Sequence, residues 1–198
     1  MGVLGKMLKM RHMFRLYLTL VRSLFEHCAV IWRPTTSVLE NKIESVQKRA
    51  FKWILKLNEE GLSYSNGDVY LKNCRELKLL PMKLRFDFID ITTLHKIIHD
   101  SLPMSMPPYL SFFSGMSRLR FCHLDKLSLV CSIIPNTCAS QSSTSNAFAN
   151  SFFYRTHLKW NKLPLEIREI SGEDSFKFRL KAYFLKNMHE FDKDNNYD

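Results

Sequence analysis

Apolar residues recur every four positions from Leu16 through Leu20 and Leu24 to Cys28, with Tyr17, Val21 and Phe25 beside them. The spacing predicts a first long helix over residues 13–31 with that stripe turned to a core. Arg33-Pro34 ends it. Ser37 and Glu40 then have the spacing of a capping box, in which each side chain satisfies an orphan backbone N–H of the other, so a second helix follows over residues 38–57. Its apolar positions, Leu39, Ile43, Val46, Ala50, Trp53, Ile54 and Leu57, alternate steps of three and four along one face. Lys42, Gln47, Lys48, Arg49, Lys52 and Lys56 occupy the remainder. Joined by a short Pro-containing turn, the two helices read as a hairpin with an apolar inside and a basic outside.

Residues 58–67 are polar with two glycines and read as a loop. Asp68 is placed to cap a short helix through Leu77 with Leu71 and Cys74 facing inward. Pro81 suits the first turn of a further helix reaching about His99, with Leu84, Phe88, Ile91, Leu94 and Ile98 as its stripe, and three prolines between Leu102 and Pro108 terminate it. From about Ser117 to Ser145 helical periodicity is lost. Val130–Ile134 has the composition of a short strand, and Asn136–Asn146 reads as an exposed Ser/Thr-rich linker. Phe148–Trp160 reads as helix, Pro164–Ile170 as a turn or single helical cycle, and Ser175–Met188 as a last amphipathic helix through Phe176, Leu180 and Phe184. The fold class is therefore mainly α, a hairpin and bundle with a small irregular carboxy-terminal part. Its organisation is a basic hairpin (1–60), a helical continuation (61–115), an irregular segment and linker (116–146) and a carboxy-terminal helical segment (147–198).

Charge adds a polarity to this picture. The net charge is +10, and residues 1–60 hold 11 Lys/Arg against 5 Asp/Glu while residues 131–198 hold 9 against 8. A basic amino end points to a polyanionic partner, since each cation that neutralises a phosphate releases a counterion; the competing reading is a solvated basic face that keeps the protein soluble. The run from Met13 to Trp32 is interrupted by Arg15, Arg22, Glu26 and His27, so neither a membrane-spanning helix nor a signal core is read there. Lys6 stands where a myristoylation signal wants Ser or Thr, and no membrane partner is expected. Five cysteines without a close CxxC pair fit reduced thiols in an intracellular protein, nuclear or cytoplasmic.

Catalytic candidates fall away one by one. Two-metal polymerases need paired carboxylates that hold two ions about 3.5–4 Å apart, and no Asp-Asp pair occurs. Asp87 and Asp90, three apart on a helix, read as a solvated face rather than a metal site. His95 and His99 have zinc-protease spacing, but Lys96 stands where the general-base Glu belongs. The gaps among Cys122-His123, Cys131 and Cys138 are too wide for a closed zinc site. Cys28 cannot readily share a proton with the adjacent His27, because consecutive helical residues diverge, and it reads as core. No GxSxG, phosphate loop or dinucleotide fingerprint is present. No catalytic residue, metal site or cofactor is assigned. The basic face of the second helix remains: Lys48, Arg49, Lys52 and Lys56, with Lys42 a cycle earlier, lie close enough to track a phosphate backbone. Trp32 and Trp53 are candidates for stacking on bases, although Trp53 sits on the apolar stripe and reads more simply as core.

The segment YLTLVRSLFEHCAVIWRPTTSVLENKIESVQKRAF (Tyr17–Phe51) resembles the stretch that follows the palm of jockey-like non-LTR retrotransposon reverse transcriptases. Leu20, Val21, Arg22, Glu26, Trp32, Pro34, Ile43, Glu44, Val46, Gln47, Arg49 and Ala50 fall in step with that pattern, and His27 stands where the family usually has Tyr. RELKLLPMKLRFDF (Arg75–Phe88), KIIH (Lys96–His99), FFYRTHLKWNKLPLEIR (Phe152–Arg168) and FKFRLKAYF (Phe176–Phe184) look like later blocks in the same order, with Phe86 replacing a common second Arg. The resemblance covers about Phe14 to Leu185, and nothing corresponds to the carboxy-terminal zinc knuckle of some related elements. It implies a helical thumb gripping the template–product duplex, with the family's metal-binding aspartates upstream of any residue present, and so a fragment without catalysis of its own. The expected partner is RNA or an RNA–DNA duplex, held by Arg22, Lys42, Lys48, Arg49, Lys52 and Lys56. The alternative is a remnant or interaction module that binds other protein through exposed apolar helix faces.

Overall fold

Among residues 3–55, 67–113, 126–131 and 148–188, which the computed structural model describes, the first helix starts earlier than its periodicity predicts. Helix α1 (Val3–Leu16) runs without a break into a wide π-helical stretch, Tyr17–Arg22, and then α2 (Ser23–Glu26). A π-turn bonds residues five apart, so it brings Tyr17 and Arg22 to one side of the helix, and both are buried. The leucines four apart are thereby carried outward. Leu16, Leu20 and Leu24 are exposed, the last two by 62% and 73%, which reverses the expectation that this stripe lines a core. Cys28, expected to be buried, is also exposed and takes a left-handed conformation (φ 51°) that breaks the helix before the single turn α3 (Ala29–Trp32).

Helix α4 (Ser37–Leu55) follows the Arg33-Pro34 stop, as its pattern predicts. The Glu40 amide bonds the Thr36 carbonyl, and the Glu40 carboxylate turns to Arg33 and Lys83, each at 3.5 Å, rather than closing a box with Ser37. Helix α5 (Gly67–Glu76) buries Leu71 and Cys74 as expected. Pro81 accepts the first backbone bond of α6 (Met82–Ile98).

The mainly helical chain divides into two compact units, Met1–Phe86 with Tyr183–Asp198 and Asp87–Ala182. In the first, Tyr17 meets Phe51 edge-on, Phe51 packs on Tyr70, and Phe86 is buried against the edge of Trp32 with the Arg33 guanidinium 5.7 Å over its ring. The apolar replacement at Phe86 is thus a core residue here.

In the second unit, β1 (Leu110–Phe112) pairs antiparallel with β2 (Leu129–Cys131), Leu110 opposite Cys131. The strand expected over Val130–Ile134 begins one residue earlier, and its remainder lies outside the described residues, as do the 136–146 linker, Cys122, His123 and Cys138. Helix α7 (Phe152–Asn161) grips β2 through Asn161, whose side chain exchanges bonds of 2.8 and 2.7 Å with the Leu129 amide and carbonyl, while Trp160 donates to Leu127. After α8 (Leu165–Arg168), α9 (Glu173–Lys186) buries Phe176 and Leu180. Asp90 is not solvated, as its helical spacing suggested. It is 1% exposed and its two oxygens take a forked pair from Arg155 at 3.0 and 3.1 Å, while Asp87 pairs with Lys159. His95 is likewise interior: its ring stacks on Phe176, centroids 3.9 Å apart, and Nε2 donates to the Ile170 carbonyl. Among the described residues no cluster of His, Cys, Asp and Glu is placed to hold a metal ion, and no helix is long and apolar enough to cross a membrane.

Candidate nucleic-acid interface

The orientation of α4 decides which of its side chains meet solvent, and a polar network sets that orientation. Gln47, grouped by its pattern with the basic outside, is 0% exposed. Its Nε2 faces the Leu80 carbonyl at 3.1 Å, an atom that only accepts, which places the amide nitrogen on that side and leaves Oε1 to accept from the Tyr17 hydroxyl at 2.8 Å. Nε2 also lies 2.8 Å from the Tyr70 oxygen, and the Tyr70 hydroxyl donates in turn to Glu44. Glu44 accepts the Met82 and Lys83 amides at 3.2 and 3.3 Å, capping the amino end of α6 from a different helix. Burial pushes the Glu44 carboxyl above its usual value despite these donors, and burial likewise raises the Tyr17 and Tyr70 phenols and pushes the Cys74 thiol up to about 12.

Gln47, Phe51 and Ile54 therefore form the inner line of α4. The outer line holds Val38, Leu39, Lys42, Arg49, Lys52 and Trp53, all exposed. This corrects the reading of Trp53 as core: at 55% exposure its ring stands beside the cations. A turn of helix rises about 5.4 Å, so Arg49, Lys52 and Trp53 share one patch and Lys42 lies about 10 Å away, near the Debye length at 0.1 M salt. Arg49 folds back over its helix, Nε bonding the Ser45 carbonyl at 3.4 Å. Lys48 is half-buried, its ammonium 5.1 Å from the Tyr70 ring centroid, and sits at the margin of the patch. Lys56 falls outside the described residues.

Arg22 does not join them. It is 4% exposed, with Nε on Glu26 at 2.8 Å and Nη2 on the Leu80 carbonyl at 3.3 Å. A guanidinium itself buried and committed to a half-buried carboxylate and a buried carbonyl has no access to a phosphate in solvent, so its assignment as a phosphate contact is corrected to a structural one. Arg85 completes the arrangement with a forked pair to Glu26 at 2.8 and 2.7 Å. Burial alone would raise the Glu26 carboxyl, but the bonds and charges of Arg85 and Arg22 outweigh it and hold the group below its usual value. The pattern residues Arg22, Glu26, Glu44 and Gln47, distant in sequence, thus converge on Leu80–Arg85. Hydrophobic periodicity does not reveal them, because it sorts residues by polarity and these are polar residues facing inward.

Comparison with family models, curated proteins and solved structures finds no match to this chain.

Proposed function

We propose that this chain is a non-catalytic part of a non-LTR retrotransposon RNA-directed DNA polymerase, binding the backbone of template–product nucleic acid through the outer face of α4. The observation that carries the reading is the placement of Lys42, Arg49 and Lys52 together on the solvent side of a helix whose inner side is locked by Gln47 and Glu44. The motif resemblance across Tyr17–Phe51 and the later blocks supports the parent family. Lys48 contributes from the margin, and Lys56 continues the same sequence spacing. The mechanism is electrostatic and largely indifferent to sequence, because phosphate contacts position a ligand without reading bases. Neither a catalytic group nor a cofactor is assigned.

The experiment compares RNA and RNA–DNA duplex binding by the wild type and by a Lys42→Ala/Arg49→Ala/Lys52→Ala variant in low salt. Loss of affinity in a variant with an unchanged circular dichroism spectrum supports the reading. Equal affinity, or none in the wild type, refutes it.

A second reading is favoured by one observation, the outward stripe of Leu16, Leu20 and Leu24. Contiguous exposed apolar surface promotes protein association. Concentration-dependent oligomerisation without nucleic-acid affinity would identify an interaction module instead.

A further inference from the structure

Trp53 is the aromatic side chain that the packing of α4 leaves in solvent beside positive charge. The other two tryptophans are engaged: Trp160 is buried with its indole N–H on the Leu127 carbonyl, and Trp32 donates to the His27 carbonyl and lays its edge against Phe86. Trp53 lies one turn after Arg49 and next to Lys52, both exposed. A flat apolar ring at the edge of a cationic patch matches a nucleotide, whose base offers a π-face and whose phosphate offers the charge. In a continuous duplex the base faces are already stacked on one another, so such a ring finds a partner only where bases are unpaired.

We propose that Trp53 is a base-stacking subsite and that the α4 face therefore takes single-stranded nucleic acid, or an unpaired strand end, in preference to uninterrupted duplex. The proposal rests on the reading that the α4 cations contact phosphate, and it adds the class of ligand. Arg49 and Lys52 hold the backbone beside the stacked base, so affinity for single strands has an aromatic component that affinity for duplex lacks.

The test measures anisotropy of a labelled oligo(dT) single strand and of a duplex of equal length with the full chain, its Trp53→Ala and Trp53→Phe variants and the Lys42→Ala/Arg49→Ala/Lys52→Ala variant. Loss of one stacked base is expected to weaken single-strand binding by about 5- to 150-fold in Trp53→Ala. Duplex binding stays within about twofold, and Trp53→Phe retains most of the single-strand affinity. The proposal is overturned if Trp53→Ala leaves single-strand binding unchanged, if it weakens both ligands equally, or if it abolishes only self-association, which would assign the ring to a protein partner. Those outcomes leave the phosphate reading intact as long as the triple variant still loses affinity. Absence of binding in the wild type sinks both.

Discussion

Replacing Gln47 by Leu isolates the polar lock behind α4. The side chains are close in volume, so the change removes hydrogen bonds while opening little cavity. Leu80 keeps a donor in Arg22, and Tyr70 keeps Glu44 as acceptor. The group left stranded is the Tyr17 hydroxyl, in a residue 3% exposed whose bond to Gln47 Oε1 is 2.8 Å. An orphaned buried donor costs about 1–3 kcal/mol, whereas removing both partners of a pair can be nearly neutral. Gln47→Leu is therefore expected to lower unfolding free energy by about 1–3 kcal/mol in a urea titration followed by circular dichroism. Adding Tyr17→Phe should then recover part of that loss, a coupling of about 1 kcal/mol between the sites. A Gln47→Leu protein as stable as wild type, or a double variant less stable than Gln47→Leu alone, would refute the network as the element that orients α4.

Arg155→Met leaves the buried Asp90 carboxylate without its forked partner and should cost about 3 kcal/mol by the same titration, with Asp90→Asn added to it restoring part. Leu20→Gln and Leu24→Gln should each change stability by no more than about 0.5 kcal/mol, since both side chains are exposed; a loss of about 2–5 kcal/mol would mean that the stripe is core after all. Burial holds the His95 and His157 rings below their usual pKa, so they stay neutral in the fold while the unfolded chain binds protons from about pH 6.5 downward. Their contribution is complete above that value and is lost as pH falls through the lower folded pKa. Thermal stability should accordingly decline as pH falls below about 6.5, and less steeply in His95→Gln; an equal slope in the variant would contradict the assignment.

Several helix starts and stops were legible in the sequence because they depend on local chemistry. The Arg33-Pro34 break, the Pro81 start and the buried Leu71, Cys74, Phe176 and Leu180 all follow from spacing and backbone preference. Which way each helix faces was less legible, because that is set by partners far off in sequence. Two helices expected to meet through Leu16, Leu20, Leu24 and Trp53 instead meet through Tyr17, Gln47 and Phe51. The π-turn at Tyr17–Arg22 shifts the first face, and Gln47, held between Tyr17 and Leu80, shifts the second. The same shift exposes Trp53 and withdraws Arg22 from the basic set. Lys42, Arg49 and Lys52 survive as surface cations because long charged side chains are solvated wherever packing permits.

The claim that α4 grips a phosphate backbone is tested most directly by the salt dependence of RNA–DNA duplex affinity. Wild type should bind tightly in low salt and weaken linearly in log–log form, and the Lys42→Ala/Arg49→Ala/Lys52→Ala variant should show a slope shallower by roughly 2–3, about 0.7–0.9 for each lost contact. A slope that is the same in both proteins would contradict the account.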